Sequence, residues 1–180
     1  MPDEPDVYRR LQQHIDNMPV AFPATESGIE LRILRRLFTP EEAEVGLLLS
    51  AVPEDLDRIH PRAKKMGLSR DDLERTLDGL VAKGAILGAG RADHRRYGKA
   101  QLAVGMYEFQ VDRLTLEFQQ DVEQYFQEGF GEAFHRPRTG QMRTIPVDAR
   151  FVPERKVGRY DDARQLIEGG LGELVAPSAE

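Results

Sequence analysis

The stretch PEDLDRIHPRAKKMGLSRDDLERTLDGLVAKGAILGAGRADHRRYGKAQLAV, residues 53–104, decides how the chain is expected to fold. Leu56, Ile59, Ala63 and Met66 recur at helical spacing and predict one helix, which Pro61 should kink or start late. Gly67-Leu68 breaks that run. Ser69, with Asp72 three residues on, predicts a capping box: the hydroxyl takes the Asp72 N–H while the carboxylate reaches back to the Ser69 backbone. Leu73, Leu77, Leu80 and Val81 give the second helix an apolar stripe, and Gly84 stands where a left-handed residue would end it. Ala85-Ile86-Leu87 then opens a strand, Gly88 to Lys99 reads as a glycine-punctuated basic wing, and Gln101-Leu102-Ala103-Val104 is expected to return as its partner strand. Helix, turn, helix and wing together predict a winged helix-turn-helix with a small β-hairpin wing.

Such an architecture invites a DNA-binding reading, and charge tests it. Duplex binding is dominated by Lys and Arg on phosphates. The second helix carries Arg70, Arg75 and Lys83 against Asp71, Asp72, Glu74 and Asp78, three cations against four carboxylates. A recognition helix so charged is repelled by the backbone it must approach. Basic residues do flank it: Arg58, Arg62, Lys64 and Lys65 before, and Arg91, Arg95, Arg96 and Lys99 in the wing. These eight are the candidate contacts, for a protein partner or for nucleic acid through the wing. A solvated face that merely keeps the domain soluble is the plain alternative.

The net charge of −6 is a poor start for a dedicated nucleic-acid binder and gives no attraction to an anionic membrane. Charge is unevenly spread: −4 over residues 1–30, +3 over 31–100 and −5 over 101–180. The basic middle coincides with the proposed winged helix and suits docking against an acidic partner or an acidic part of the same chain. No apolar run approaches the ~20 residues of a membrane span. The acidic N-terminus lacks the positive region of a signal peptide, so a cytoplasmic protein is expected. With no cysteine among 180 residues, these residues hold no disulfide, no thiolate nucleophile and no cysteine-ligated zinc or iron–sulfur cluster.

Around the winged helix (29–104) three further segments are expected, making the chain mainly α. Residues 1–28 form an N-terminal helix, from near Asp3 with Pro5 in its first turn to about Met18, and a loop carrying Phe22. Ile29 to Phe38 follows as a short helix with Ile29, Ile33, Leu34 and Leu37 inward. Thr39-Pro40-Glu41-Glu42 is a strong helix start, running to about Val52. Residues 105–134 are expected to form one long amphipathic helix, with Tyr107, Val111, Leu114, Phe118, Val122 and Tyr125 in one stripe, widened by Phe109, Leu116, Phe126 and Phe130. That is more apolar surface than a small domain covers. Either the N-terminal helix packs along it, or a dimer or second domain covers the rest. Residues 135–180 read as an extended basic segment with a short helix at Tyr160–Glu168.

Several runs carry a family resemblance: VYRRLQQHIDNMPVAFPATESG (7–28), LFTPEEA (37–43), YGKA (97–100), GMYEFQVDRL (105–114) and RTIPV (143–147). In that order they resemble the N-terminal part of bacterial and archaeal proteins of the 4Fe-4S ferredoxin type. The resemblance implies an electron-transfer protein whose cysteine-ligated 4Fe-4S clusters sit in a following module. This chain ends before the first cysteine expected of that module, so no cluster ligand carries over.

Catalytic patterns are weak. His14, His60, His94 and His135 have no metal-binding spacing, and Asp93-His94 reads as exposed loop rather than as a base. Gly88-Ala89-Gly90 continues into no phosphate-loop motif. Asp71-Asp72 and Asp161-Asp162 suit helix first turns. The expectation is a non-enzymatic docking or dimerisation module of an iron–sulfur protein, without a cofactor of its own, and the alternative is a DNA-binding regulator that uses the wing.

Overall fold

The computed structural model describes residues 6–91 and 94–135, and the segment 136–180 expected to be extended and basic lies outside them. Within that range the chain is mainly helical with a small three-stranded antiparallel sheet. Helix α1 (Val7–Asp16) starts at Asp6, whose carboxylate accepts the Tyr8 N–H, and stops short of Met18. Helix α2 (Ile29–Leu37) buries Ile29, Ile33, Leu34 and Leu37 as its periodicity requires. Helix α3 (Pro40–Gly46) has the full capping box: Thr39 Oγ1 accepts the Glu42 N–H at 3.3 Å, and Glu42 Oε2 accepts the Thr39 N–H at 2.8 Å.

Helix α3 ends six residues before Val52, where it was expected to run. A β-carbon at Gly46 would lie 3.1 Å from a Leu11 methyl, so α1 touches α3 there. The chain then turns to bury Leu49 and bends at Ala51-Val52 before Pro53, which disfavours helix in the residue preceding it. Strand β1 (Glu54–Asp55) follows, then α4 (Leu56–Ala63), which tightens into a 3₁₀ turn at Lys64–Met66. Pro61 sits inside α4 and does not delay it. The apolar stripe ends at Ala63, because Met66 is exposed.

Helix α5 (Arg70–Ala82) buries Leu73, Leu77 and Leu80 completely. Half of its expected capping box forms. Ser69 Oγ accepts the Asp72 N–H at 3.1 Å, but the Asp72 carboxylate takes the Ser69 hydroxyl proton, not the backbone N–H. Gly84 ends the turn at φ +70°, and a β-carbon there would lie 2.4 Å from Phe109 Cβ, so both backbone and packing demand glycine.

Strands β2 (Ile86–Ala89) and β3 (Arg96–Lys99) pair antiparallel, with Gly88 opposite Tyr97. Strand β1 joins the other side of β3, Glu54 opposite Tyr97, giving the order β1-β3-β2. The return strand therefore starts at Arg96, five residues before the expected Gln101. Tyr97 on this central strand is buried, and its hydroxyl donates to Asp78 of α5 at 2.9 Å. Leu102–Met106 is an irregular turn in place of the expected strand, with Ala103 extended and Val104 left-handed.

The long helix expected over 105–134 is broken. A 3₁₀ segment spans Glu108–Arg113, Leu114 is extended, and Thr115 caps a new helix, α6 (Leu116–Tyr125), by accepting the Phe118 N–H at 3.2 Å. Wider turns at Phe126–Phe130 lead into α7 (Gly131–His135). Phe118, Val122 and Tyr125 are buried, whereas Val111 and Leu114, from the same expected stripe, are exposed on the far side of the break. Helix α6 lies against α2, not along the N-terminal helix, which packs on α2 and α3. The α2–α6 contact is keyed by Asp121, buried between Arg32 (2.7 Å) and Arg36 (2.9 Å).

Two substitutions test these assignments in a denaturant titration. Thr39→Ala removes the capping hydroxyl and should cost about 1 kcal/mol. Leu77→Ala, at a fully buried position, should cost about 2–5 kcal/mol. An unchanged midpoint for either refutes the corresponding contact.

Candidate functional site

The eight cations singled out by sequence fall into three groups. Lys99 is buried on β3, its Nζ donating to the His14 carbonyl at 2.8 Å, so it offers nothing to a partner. Arg62 and Arg95 are half-exposed and ion-paired, Arg62 with Glu54 (2.5 Å) and Arg95 with Asp78 (2.7 Å). Arg58, Lys64, Lys65, Arg91 and Arg96 are exposed. The paired Arg62 holds the Glu54 carboxyl below the usual range.

Arg58 and Arg95 meet in a cleft of about 350 Å³ where the start of α4, the outer face of α5 and the hairpin converge. Asp55, Asp57 and Glu74 line the same cleft, and Arg70 there is taken by Asp57 at 3.0 Å and Glu74 at 3.7 Å. Further along α5, Arg75 pairs with Asp72 at 3.0 Å. The Ser69 hydroxyl first, and Arg75 second, lower the Asp72 carboxyl. The cleft is thus a field of matched charges. His94 sits at its rim, while its neighbour Asp93 lies outside the described residues.

A second surface is apolar, and the broken helix creates it. Gln110 Nε2 donates to the Lys83 carbonyl at 2.7 Å, and Arg113 Nη2 to the Ala82 carbonyl at 2.8 Å. These bonds answer carbonyls that the end of α5 leaves open. They also hold Phe109 (43% exposed) and Val111 (72% exposed) along one side of an open groove of about 410 Å³. Val81, Gly84, Ile86 and Gly88 form the other side, and Glu108, Asp112 and Arg113 its rim. Leu116, 70% exposed, adds to the apolar surface beyond the groove. Sequence reading placed Phe109 and Val111 on a continuous helix. The signal for this groove was Thr115, a helix-start residue in the middle of the apolar stripe.

No family model, curated protein or solved structure matches the chain. Among the described residues no three acidic or histidine side chains come together as a metal site, and no helix is long and apolar enough to cross a membrane.

The His14–Lys99 contact has a pH consequence. Burial lowers the His14 pKa, the carbonyl of Leu49 at 2.8 Å opposes this, and the Lys99 charge reinforces it. Unfolded His14 protonates near the ordinary value of about 6.5. Between that value and the lower native one the unfolded chain binds more protons, so stability rises with pH through this window. It is complete above about 6.5 and lost as pH falls through the native value. His14→Gln, whose amide can keep the bond to Leu49, should lose less stability than wild type between pH 7 and pH 5 in urea titrations. Equal losses in both proteins refute the assignment.

Proposed function

We propose that residues 29–104 form a winged helix-turn-helix used to dock protein rather than DNA, as the non-catalytic docking or dimerisation module of a 4Fe-4S ferredoxin-type electron-transfer protein. The element order supports the fold reading: α3, β1, α4, α5, β2 and β3 in sequence, with β3 central in the sheet. Matched charge on the face shared by α4, α5 and the hairpin carries the docking reading. Arg62, Arg70, Arg75 and Arg95 each have a carboxylate partner, and Lys99 is buried. A phosphate backbone approaching α5 would have to displace those carboxylates or lie beside them. The exposed Phe109, Val111 and Leu116 supply instead what a protein interface uses, an apolar centre with a polar rim.

The iron–sulfur part rests on the family resemblance of residues 7–28, 37–43, 97–100, 105–114 and 143–147. A Cys-x-x-Cys-x-x-Cys run encoded in frame after Glu180, or in an adjacent gene, tests it. The second reading, a DNA-binding regulator, draws on the exposed cations Arg58, Lys64, Lys65, Arg91 and Arg96.

Fluorescence anisotropy with duplex DNA separates the two. Under the docking reading, affinity for random duplex at physiological salt is no tighter than about 10⁻⁴–10⁻⁶ M. Arg58→Ala with Arg96→Ala should weaken that residual binding, and Arg70→Ala should leave it unchanged. A discrete sequence bound at nanomolar concentration, and lost on Arg70→Ala or Arg75→Ala, overturns docking in favour of regulation.

A further inference from the structure

The apolar groove runs beside a sheet edge, and the two are parts of one site. In the order β1-β3-β2, strand β2 is paired on one side only among the described residues. The Lys99 N–H is donated to the Ser50 carbonyl, on the β1 side of β3. Lys99 faces Ile86, so in an antiparallel ladder Ile86 and Gly88 turn their N–H and C=O groups away from β3, and Leu87 and Ala89 turn theirs toward it. Ile86 and Gly88 are also the β2 residues that line the groove. Gly88, which is exposed, therefore opens its backbone groups into it, while Ile86 reaches the groove with only 3% of its surface exposed.

Proteins usually guard such an edge with Lys, Pro, a bulge or a covering segment. Strand β2, Ile86-Leu87-Gly88-Ala89, carries no charge and no proline. At Gly88 a side chain is excluded altogether, since a β-carbon would lie 2.7 Å from Val81 Cγ1. The backbone at this exposed position is thus bare. Opposite it stand Phe109 and Val111, both exposed and both fixed by the bonds of Gln110 and Arg113 to the end of α5. Outward-turned backbone groups with no hydrogen-bond partner among the described residues, set beside apolar side chains, are what an added strand needs, the first for pairing and the second for alternate side chains.

We propose that this groove binds an extended segment of a partner protein, added as a fourth strand antiparallel or parallel to β2, with apolar residues facing Phe109 and Val111 and Lys or Arg between them. The proposal rests on the docking reading and names its surface. Charge selects the occupant. Glu108 and Asp112 stand on the rim, and Arg113, the cation among the lining residues, is turned to the Ala82 carbonyl. A second copy pairing edge to edge would bring the same carboxylates to the seam from both sides, whereas a basic segment meets them favourably.

The test uses the full 180-residue chain, isotope-labelled for NMR, and a synthetic peptide of about seven residues alternating lysine and valine, long enough to span a strand. Saturable binding should shift the Ile86–Ala89 and 108–113 amides. It should slow hydrogen exchange at Ile86 and Gly88 specifically, since Leu87 and Ala89 are already bonded to β3. Methylating the peptide nitrogens that face β2 should weaken binding about tenfold or more, as should Val111→Lys, which replaces apolar contact with repulsion at an exposed position. A glutamate–valine peptide should not bind. Failure to protect Ile86 and Gly88, or equal binding of the methylated peptide, overturns the proposal. Protection of both amides in the chain alone, rising with its concentration, overturns it in favour of a second copy. If the peptide fails while duplex DNA also binds only weakly, the edge assignment falls and docking through another face stands. Nanomolar DNA binding through Arg70 or Arg75 removes the docking reading itself.

Discussion

The fold hangs on a carboxylate with no exposed surface. Glu30, at the start of α2, is fully buried. Burying a carboxylate costs several kcal/mol unless partners replace its water. Its Oε2 accepts the Thr25 hydroxyl at 2.6 Å and the Thr25 N–H at 3.2 Å, and Oε1 lies 2.9 Å from the Arg9 guanidinium. Arg9 donates to Gln12, and Gln12 in turn donates to the Phe22 carbonyl at 2.6 Å, while Asp16 accepts the Phe22 N–H at 2.7 Å. The linker between α1 and α2, with prolines at Pro19 and Pro23, is thereby held by both helices it joins. Phe22 is driven into the core, its ring edge-on to Tyr125 at 5.0 Å, and the Tyr125 hydroxyl donates to the Pro23 carbonyl. Helix α6 is positioned by that loop as much as by α2.

The two faces of the other half of the molecule differ in what their contacts can do. Ion pairs on the α4–α5–hairpin face are at least partly exposed, and such solvent-screened pairs add little to stability. Their larger effect is on the field outside. Each pairing cancels a cation that would otherwise draw phosphate, and the lowered Glu54 and Asp72 carboxyls keep their negative charge to lower pH. Apolar area behaves differently, because its exposure is unfavourable at about 25 cal/mol per Å² until something covers it. Charge matching on one face and bare apolar side chains on another are the two features on which the proposed docking role rests.

What could be read from sequence was local. Thr39, Ser69 and Gly84 announce their roles within four residues, because a cap is a bond between near neighbours, and all three lie where their chemistry required. The core stripe of α5 was equally plain. The pairing of Arg95 and the burial of Lys99 were not legible, because charge type says nothing of where a partner lies. Their partners, Asp78 and the His14 carbonyl, lie 17 and 85 residues away. The break at Leu114-Thr115 was missed for a related reason. A helical stripe continued across it by coincidence, Val111 and Leu114 falling in phase with Phe118, and nothing in the spacing reveals that the segment before Thr115 is tied to the end of α5.

Just ahead of that segment lies the one left-handed non-glycine residue among the described residues. Val104 adopts φ 57°, ψ 46°, a left-handed conformation that a β-branched residue takes at a cost of about 1–3 kcal/mol. Such strain persists only where the surroundings over-determine it. Leu102 and Met106 are buried on either side, the Met106 N–H is donated to the Gln101 carbonyl at 2.8 Å, and the Gly105 N–H to Glu108 Oε2 at 2.7 Å. This turn leads directly into the segment whose Gln110 and Arg113 bind the carbonyls of Lys83 and Ala82. Those bonds hold Phe109 and Val111 out beside the open edge of β2, where a continuous helix would have had no reason to put them.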